Sequence, residues 1–528
     1  MTLRLYGMYV VLTLGLPCSA PAADLGPADS ASGATLRVAA KDDDLPLSKD
    51  ALFGGPSEGD KAEGLPSDGK KALPDSKESL FGTDSAAEKA GQSRSQDSAP
   101  GAKEALIDVA AEPAAPIRQG VPDDSRMRGY FQGELARTVA HPDHWSKALG
   151  RLELGTQGRF GESVQWKVSG RIDFNGVYDL TDFYQSQVRD DQRAEFQLRE
   201  TYLDYSSGGW DWRLGRQHIV WGEMVGLFFA DVVSAKDLRD FVLPDFQVMR
   251  IPQWAARTEY FDGDFHTEFV WIPFPSYDRL GKPADFSRPG YGADYYPYPP
   301  SSLPMTILAE DKPGTGIDHS NFGMRVTQLT RGWDLSGFYY TSMNSYPTWY
   351  RDPVVKTRFT PKHDRIWQLG GTLGKDFGDF VLKAEAVYTN GRRPNLVSNL
   401  ADEDGVVKQN TLDWAVGLDF NPGPDTRVNT QLYQSLTFDH EADTIPDKAE
   451  TGVSLLVSHG LPGNWRAEVL LVHSLNRSDW MLRPKASWGF QPNWKLTFGL
   501  DLFDGSPDGL FGQYDHQDRA YAEVRYDF

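Results

Sequence analysis

The sequence contains a single cysteine, Cys18, among 528 residues. Cys18 lies in an N-terminal segment that we expect to be removed, so the mature chain can form neither a disulfide nor a thiol-based catalytic site. Acidic residues outnumber basic ones by 74 to 54, and the net charge of −20 argues against a nucleic-acid partner, which would need a basic face. No apolar run of about 18 residues follows the N-terminus, which excludes a membrane protein built from helices.

The N-terminus has the features of a secretory signal. Arg4 supplies a short basic region, an apolar core follows, and Ala20-Pro21-Ala22 is typical of a cleavage site. We therefore expect residues 1–22 to be removed during export. The alternative, a lipoprotein acylated at Cys18, agrees poorly with the proline that directly precedes this cysteine.

The next segment, residues 23–124, lacks tryptophan and tyrosine and is rich in Ala, Ser, Asp, Lys, Gly and Pro. Such a composition cannot bury enough apolar surface to offset its chain entropy, so we expect a disordered periplasmic segment. Its two phenylalanines belong to a repeated Leu-Phe-Gly motif, which is either a duplicated low-complexity tract or a pair of docking motifs for a periplasmic partner. The docking interpretation uses six residues: Leu52, Phe53, Gly54, Leu80, Phe81 and Gly82.

Beyond residue 125, polar and apolar residues alternate over many short segments. In the first clear example, Trp166 and Phe174 share one face, and Lys167 and Asp173 share the other. The same period of two recurs further along the chain, ending with residues 519–528. This pattern predicts strands that have one apolar and one polar face. Glu200 and Asp204 interrupt the alternation of their strand, where we expect a bulge or a lumen-facing patch.

The connections between these strands alternate between tight turns and mostly long loops. Eight turns and nine outer connections predict 18 strands, and 16 is the alternative because residues 366–375 are Gly-rich and Pro484 interrupts another strand. A soluble β-sandwich has no reason to sort its loops in this way, whereas outer-membrane barrels do. Because a sheet in lipid must pair all its backbone groups, it has to close. We therefore predict an all-β protein, a transmembrane antiparallel β-barrel of the outer membrane over residues 125–528.

Aromatic residues mark the strand ends. Trp465 and Trp494 directly follow predicted short turns, where an interfacial girdle facing outer-membrane lipid should lie. The final strand ends on Tyr526 and Phe528, which we interpret as an assembly signal read by the barrel-insertion machinery.

The polar faces that we assign to the lumen carry both signs of charge, which indicates neither a cation-selective nor an anion-selective pore. A salt-bridged, solvated wall is the plainer interpretation. The loop from 221 to 252 contains the apolar run 224–233, which we expect to fold into the barrel as a constriction. Our candidate lumen and constriction residues are Arg171, Asp173, Arg213, Arg216, Gln217, Trp221, Glu223, Asp231, Asp237, Arg239 and Asp240.

Two further outer loops contain residues that are candidates for binding or chemistry. The loop from 274 to 315 is rich in Pro and Tyr and could be an aromatic binding surface or a rigid lid. His141 and His144 lie in one outer loop without further ligands, so we expect them to be solvent-exposed and predict no metal and no cofactor. No phosphate loop, nucleophile elbow or metalloprotease motif is present, so we predict no catalytic residues and no enzymatic activity.

Residues 197–205 are followed by Leu214-Gly215-Arg216-Gln217, Val220-Trp221-Gly222 and Asp237-Leu238-Arg239-Asp240-Phe241. This ordered series resembles a family of uncharacterised proteobacterial outer-membrane proteins, domain-of-unknown-function family 1302, over about residues 126–528. The resemblance implies a barrel, lipophilic substrates and association with exporters of the resistance-nodulation-division class. It supplies no functional residues that could be carried over.

Three functions remain open from the sequence. The first is a conduit for hydrophobic or amphipathic small molecules or lipids, working with a periplasmic or inner-membrane transport partner. The second is a passive porin for small hydrophilic solutes, and the third is an outer-membrane enzyme or structural anchor with a plugged lumen.

Overall fold

The computed structural model describes residues 127–161, 163–222, 224, 229–299 and 305–528. The predicted signal peptide, the predicted disordered segment and both Leu-Phe-Gly motifs lie outside the described residues.

The described residues form a large antiparallel sheet, in which strands that are adjacent along the barrel are hydrogen-bonded. With all strands numbered in chain order, its 18 members are β1 (Arg128–Thr138), β2 (Trp145–Phe160), β3 (Val164–Asn175), β4 (Ala194–Ser207), β5 (Trp210–Gln217), β8 (Gln253–Asp262), β9 (Phe265–Phe274), β11 (Asn321–Thr330), β12 (Trp333–Met343), β15 (Arg365–Asp376), β16 (Phe380–Arg392), β17 (Gln409–Gly423), β18 (Thr426–Phe438), β19 (Ala449–Leu461), β20 (Trp465–Ser474), β21 (Trp480–Gln491), β22 (Trp494–Asp504) and β23 (Arg519–Asp527).

Short elements lie in the loops. They are the strands β6 (Ala235–Lys236), β7 (Arg250–Ile251), β10 (Thr306–Ile307), β13 (Thr348–Arg351) and β14 (Arg358–Lys362), the α-helices α1 (Val177–Leu180), α2 (Ser186–Gln192) and α3 (Phe246–Met249), and the 3-10 helices Ile317–His319 and Gly512–Gln517. Among the described residues, no helix is both long and apolar enough to cross a membrane.

The sheet closes on itself because β1 pairs with both β2 and β23. The backbone groups of Gly129 and Phe528 exchange two further hydrogen bonds, each 2.9 Å long, at the end of this ladder. The prediction of a closed barrel with 18 strands is thereby confirmed, and the alternative count of 16 is wrong. The Gly-rich segment 366–375 is a full strand, β15, because its neighbours β12 and β16 pair with it along its length.

The two faces of the sheet are the reverse of those in a soluble protein. In β3, Ile172 and Phe174 are half exposed on the outside, whereas Arg171 and Asn175 are buried on the inside. The polar face predicted from the alternation therefore lines the lumen, and the apolar face is the surface that lipid covers. The predicted irregularity is also present, since the register between β3 and β4 shifts between Val168 and Gly170, opposite Glu200.

Aromatic pairs lie on the outer face next to the short turns. The rings of Trp465 and Trp488 are stacked with centroids 5.3 Å apart, and those of Trp494 and Tyr526 are 4.7 Å apart. Tryptophan and tyrosine rings are largely apolar but carry one polar atom, so they are favourable at the boundary between lipid and water. This arrangement matches the girdle that the positions of Trp465 and Trp494 predict.

Candidate functional site: the lumen loop

We call the long connection between β5 and β8, residues 218–252, the lumen loop; its described residues lie inside the barrel. Its side chains include some of the most buried in the described part of the chain, among them Trp221, Met224, Phe241 and Met249, each at most 1% exposed. Within the loop, β6 pairs antiparallel with β7, so residues 235–236 lie beside residues 250–251. Of the apolar run, Met224, Phe229, Ala230 and Val233 are buried, and that the run constricts a pore stays a prediction.

Apolar contacts join the lumen loop to distant parts of the wall. The Trp221 ring lies 5.2 Å from that of Phe338 on β12, and the Phe229 ring lies 6.2 Å from that of Tyr433 on β18. On the other side, the Phe241 ring lies 6.0 Å from that of Phe503 on β22. Because β12, β18 and β22 lie far apart in the order of strands around the barrel, the loop spans the lumen rather than lining one wall.

Glu385 on β16 holds the tip of the loop. One carboxylate oxygen accepts the backbone N–H of Met224 at 2.9 Å, and the other accepts that of Ala230 at 3.1 Å. Glu385 is 3% exposed, and its neighbours on the inner wall include both the apolar Val387 and the charged Lys383. A single carboxylate therefore satisfies two backbone donors that would otherwise be buried without partners.

Arginines of the wall hold the carbonyl groups at the other end of the loop. Arg171 on β3 donates to the carbonyl oxygen of Val248 at 2.9 Å, and Arg199 on β4 donates to that of Arg250 at 3.0 Å. Arg483 on β21 donates to that of Leu243 at 2.8 Å. These bonds supply donors to buried carbonyl groups, and they fix the position of the loop on the side opposite Glu385.

Ion pairs complete the attachment. Asp231 and Arg250, both of the lumen loop, pair at 2.9 Å with side chains that are 0% and 1% exposed. Asp240 accepts from Lys147 on β2 at 2.9 Å. Asp237 and Arg239 pair with each other at 2.7 Å, and Arg239 reaches Glu195 on β4 at the same distance. Burial alone would raise the pKa of the Asp237 carboxyl, but the charge and hydrogen bonds of Arg239 outweigh it and lower that pKa below its usual value.

A polar cavity of about 70 Å³ remains between the lumen loop and the wall formed by β1, β2 and β21–β23. Its lining carries both signs of charge, including Glu134, Lys147, Lys485 and Glu523. A polar space of this size, with several hydrogen-bonding groups in its lining, can hold ordered water. The mixed charges agree with the predicted salt-bridged wall.

Nine of the eleven predicted site residues fall into two groups. Those that line the lumen are Arg171, Asp173, Arg213 and Gln217, and those that belong to the lumen loop are Trp221, Asp231, Asp237, Arg239 and Asp240. Arg216 differs from the expectation, because it pairs in register with Trp254 and follows the exposed Leu214 by two residues, which places it on the outer face. Glu223 lies outside the described residues.

Sequence patterns did not indicate which wall residues hold the loop. Glu385 and Arg483 appear in the sequence as ordinary members of a polar lumen face. Glu385 carries no distinguishing signal, because its same-face neighbours Lys383 and Val387 are of the kinds found throughout the lumen wall. Its donors come from a loop distant in sequence.

The Tyr-rich loop between β9 and β11 covers the lumen loop from outside. The backbone N–H of Leu238 donates to the carbonyl of Arg279 at 2.8 Å, and Tyr295 packs in the cluster around Phe241, with ring centroids 6.3 Å apart. Tyr295 and Tyr296 are buried. The burial of these two rings favours the lid interpretation for their part of the loop, whereas Tyr291 and Tyr298 are exposed.

The two histidines of the first outer loop have different environments. His141 is exposed as expected, but the expectation for His144 was wrong, because His144 is buried where the Tyr-rich loop packs over it. Its ring stacks on Phe183 at 3.8 Å, and its Nε2 lies 3.2 Å from an oxygen of Asp294. Among the described residues, no group of three or more His, Cys, Asp or Glu side chains could hold a metal ion.

The closed sheet, its apolar outer face and its charged interior define a porin-like outer-membrane β-barrel. The model of one protein family matches residues 156–437, more than half of the chain. The chain therefore belongs to the family described as "Protein of unknown function (DUF1302)". No curated protein matches the sequence.

Solved structures with a similar fold include OccAB1 of Acinetobacter baumannii, at 10% identity and a TM-score of 0.47, covering 76% of this chain and 95% of that one. OccK2 (OpdF) of Pseudomonas aeruginosa, in complex with glucuronate, has 11% identity and a TM-score of 0.45, covering 78% and 99%. A mutant porin of Rh. blastica has 12% identity and a TM-score of 0.34, covering 76% and 99%. Likeness at this level carries no conclusion about what this chain transports.

Proposed function

We propose that this barrel is a gated outer-membrane conduit for hydrophobic or amphipathic small molecules or lipids, with the lumen loop as its gate. The observation that carries the proposal is the position of the loop's apolar tip. Met224 and Phe229 lie against an apolar part of the inner wall and are held there through Glu385.

The inner wall beneath this tip supports the choice of substrate class. Phe338, Val387, Ala415 and Tyr433 are inward-facing and buried, and they lie on strands between β12 and β18. In a lumen that only has to carry hydrophilic solutes, such a surface would be unfavourable, because it exposes apolar area to water. Once the tip moves, these apolar side chains become accessible to a lipophilic solute, between polar neighbours such as Glu385 and Asp413.

The second candidate, a passive porin for hydrophilic solutes, is favoured by the polar half of the lumen. The wall formed by β1, β2 and β21–β23 is charged, and the polar cavity lies against it. In this case small movements of the lumen loop on the charged side would open a hydrated path. The third candidate, an anchor or enzyme with a plugged lumen, requires that the lumen loop stays in its position inside the barrel.

Purified full-length protein in planar bilayers and in liposomes separates these three functions. We expect low, intermittent conductance and uptake of a long-chain fatty acid into liposomes, without uptake of a sugar of similar mass. Large, steady conductance with sugar uptake would favour the passive porin. Absence of both uptake activities, in the wild type and in variants with a loosened loop, would favour the plugged anchor.

Delivery of the solute from the periplasmic side also requires a partner protein. We assign the recruitment of this partner to residues 23–124. Two copies of Leu-Phe-Gly in a segment without other aromatic residues suit two weak contacts that reinforce each other. The partner would be a periplasmic or inner-membrane transporter, including exporters of the resistance-nodulation-division class. Deletion of residues 24–124 should reduce transport in cells and partner pull-down while the purified barrel keeps its conductance. Unchanged transport and pull-down would contradict this role.

A further inference from the structure

A groove of about 390 Å³ runs along the outer face of the barrel over β5, β8, β9, β11 and β12. We call it the outer groove. Its floor includes the small outward residues Ala256 and Thr258 on β8, and its sides include Trp212 on β5 and Phe269 on β9. Because this face is covered by lipid, the groove is shaped for an apolar chain rather than for water.

Arg216 lies just beyond one end of the outer groove. It follows Leu214 by two residues on the same face of β5, and Leu214 is the cross-strand partner of the floor residue Ala256. Two residues along a strand correspond to roughly 7 Å. Arg216 is therefore about one headgroup length from the groove, on the side of the long loops.

The charge of Arg216 has no partner within the part of the chain that the structure describes. No carboxylate there forms an ion pair with its guanidinium, and its Nε is buried without a hydrogen-bond partner. In contrast, the outward Arg137 on β1 pairs with Asp143. A cation on the lipid-facing side of a barrel is destabilising unless it reaches the interface, and an anion there stabilises it further.

From these two features we infer that the outer groove and Arg216 form a binding site for an anionic lipid of the external leaflet. One acyl chain lies in the groove between Trp212 and Phe269, and a phosphate of the headgroup accepts hydrogen bonds from Arg216. The side chain of arginine is long enough to reach the interface while its aliphatic part stays in the apolar layer. This site is independent of the lumen, so it stands or falls separately from the proposed transport.

Native mass spectrometry of the purified full-length barrel tests the site with three probes: diphosphoryl lipid A, phosphatidylglycerol and phosphatidylcholine. We expect the two anionic lipids to bind more tightly than phosphatidylcholine. Since hydrogen bonds to charged groups contribute enough to change binding about tenfold, Arg216→Ala should weaken anionic lipid binding by about that factor, and Arg216→Lys by less. Equal binding of all three lipids would overturn the assignment of the headgroup.

Ala256→Phe should fill the groove and weaken binding of every acylated probe. Arg137→Ala is the matched control for the charge, and Ala520→Phe, on β23 away from the groove, is the control for an added outward ring. Folding of each variant is checked by heat-modifiable migration on gels. If Ala256→Phe does not fold, the comparison of Arg216→Ala with Arg137→Ala still tests the site. Equal losses of anionic lipid binding in those two variants would overturn it.

Discussion

Glu385 of the barrel wall accepts the backbone N–H of Ala230, at 3.1 Å, although the two residues are 155 positions apart in the chain. Its other oxygen accepts the N–H of Met224 at 2.9 Å, so one carboxylate holds both sides of the loop tip. If the lumen loop is a gate, this contact is the one that has to break when the gate opens.

Replacing Glu385 should therefore loosen the gate. Glu385→Ala leaves two buried N–H groups without acceptors, at a cost of roughly 1–3 kcal/mol each, and should raise the open probability in planar bilayers and hydrogen exchange in residues 229–233. Glu385→Gln should have an intermediate effect because its amide oxygen still accepts one bond. The control is Asp419→Asn, since Asp419 bonds only wall residues such as Arg427 and Asn429 in the hydrogen bonds described. Equal effects of the two substitutions would contradict a specific role of Glu385.

The buried pair of Asp231 and Arg250 should behave as a unit. Arg250→Ala leaves a buried carboxylate without its cation and should destabilise the loop by roughly 3–5 kcal/mol. Asp231→Leu combined with Arg250→Met removes both charges and should be markedly milder. Hydrogen exchange in residues 235–251 measures both effects. A double variant as unstable as the single one would show that the pair does not control the stability of the loop.

Gly323 on β11 lies where the barrel wall contacts Trp221 of the lumen loop. A Cβ added there would lie 2.6 Å from Cη2 of Trp221 and 2.8 Å from Cδ2 of Tyr340. Gly323→Ala should therefore displace the Trp221 ring and destabilise the packed loop by about 1–3 kcal/mol, as measured by urea unfolding and local exchange. Gly337→Ala on β12 is the control, because its added Cβ meets nothing nearer than 4.0 Å. Similar effects of the two variants would argue against close packing of Trp221 on the wall.

The contact of His144 with Asp294 should make the docking of the Tyr-rich loop dependent on pH. Burial lowers the pKa of His144, but the hydrogen bond to Asp294 and its charge outweigh it, so the pKa is raised above 6.5. A group with a raised folded pKa stabilises the folded state fully below its unfolded pKa, and this stabilisation is lost as the pH rises through the folded pKa. Exchange protection in residues 291–299 should therefore be lower at pH 8 than at pH 6.

His144→Asn should remove most of this pH dependence, and the exposed His141→Asn should leave it unchanged. The experiment compares protection factors, which correct for the intrinsic pH dependence of exchange. A wild-type protection factor that is the same at pH 6 and pH 8 would show that the pair with Asp294 does not hold the loop.

Phe528 combines two roles that single variants can separate. Its backbone exchanges two hydrogen bonds of 2.9 Å with Gly129 at the closure of the barrel, and its ring stacks near Tyr526 with centroids 5.8 Å apart. Deleting Phe528 should lower the amount of folded protein in the outer membrane, measured by heat-modifiable migration. Phe528→Ala keeps the backbone bonds, so a loss as large as that of the deletion would assign the effect to the aromatic assembly signal. Normal levels of the deletion variant would contradict both roles.

The sequence by itself determined the barrel, favoured 18 strands over 16 and indicated which face of most strands points inward. These features are local: alternation of period two defines the faces, and short turns such as Gly208-Gly209 between β4 and β5 define the order of neighbouring strands. Closure then follows because lipid tolerates no unpaired edge. The apolar run 224–233 also indicated, without further help, that this loop would avoid water.

Only the tertiary structure decided where that loop goes and what holds it. The contacts of Glu385 with Ala230, of Arg483 with Leu243 and of His144 with Asp294 join segments that are 155, 240 and 150 residues apart. Such pairs leave no periodic trace, because any inward carboxylate or arginine satisfies the alternation equally well. Arg216 was predicted to lie in the lumen, although Leu214, two residues before it, is on the outer face; its pairing with the outward Trp254 shows that it faces outward.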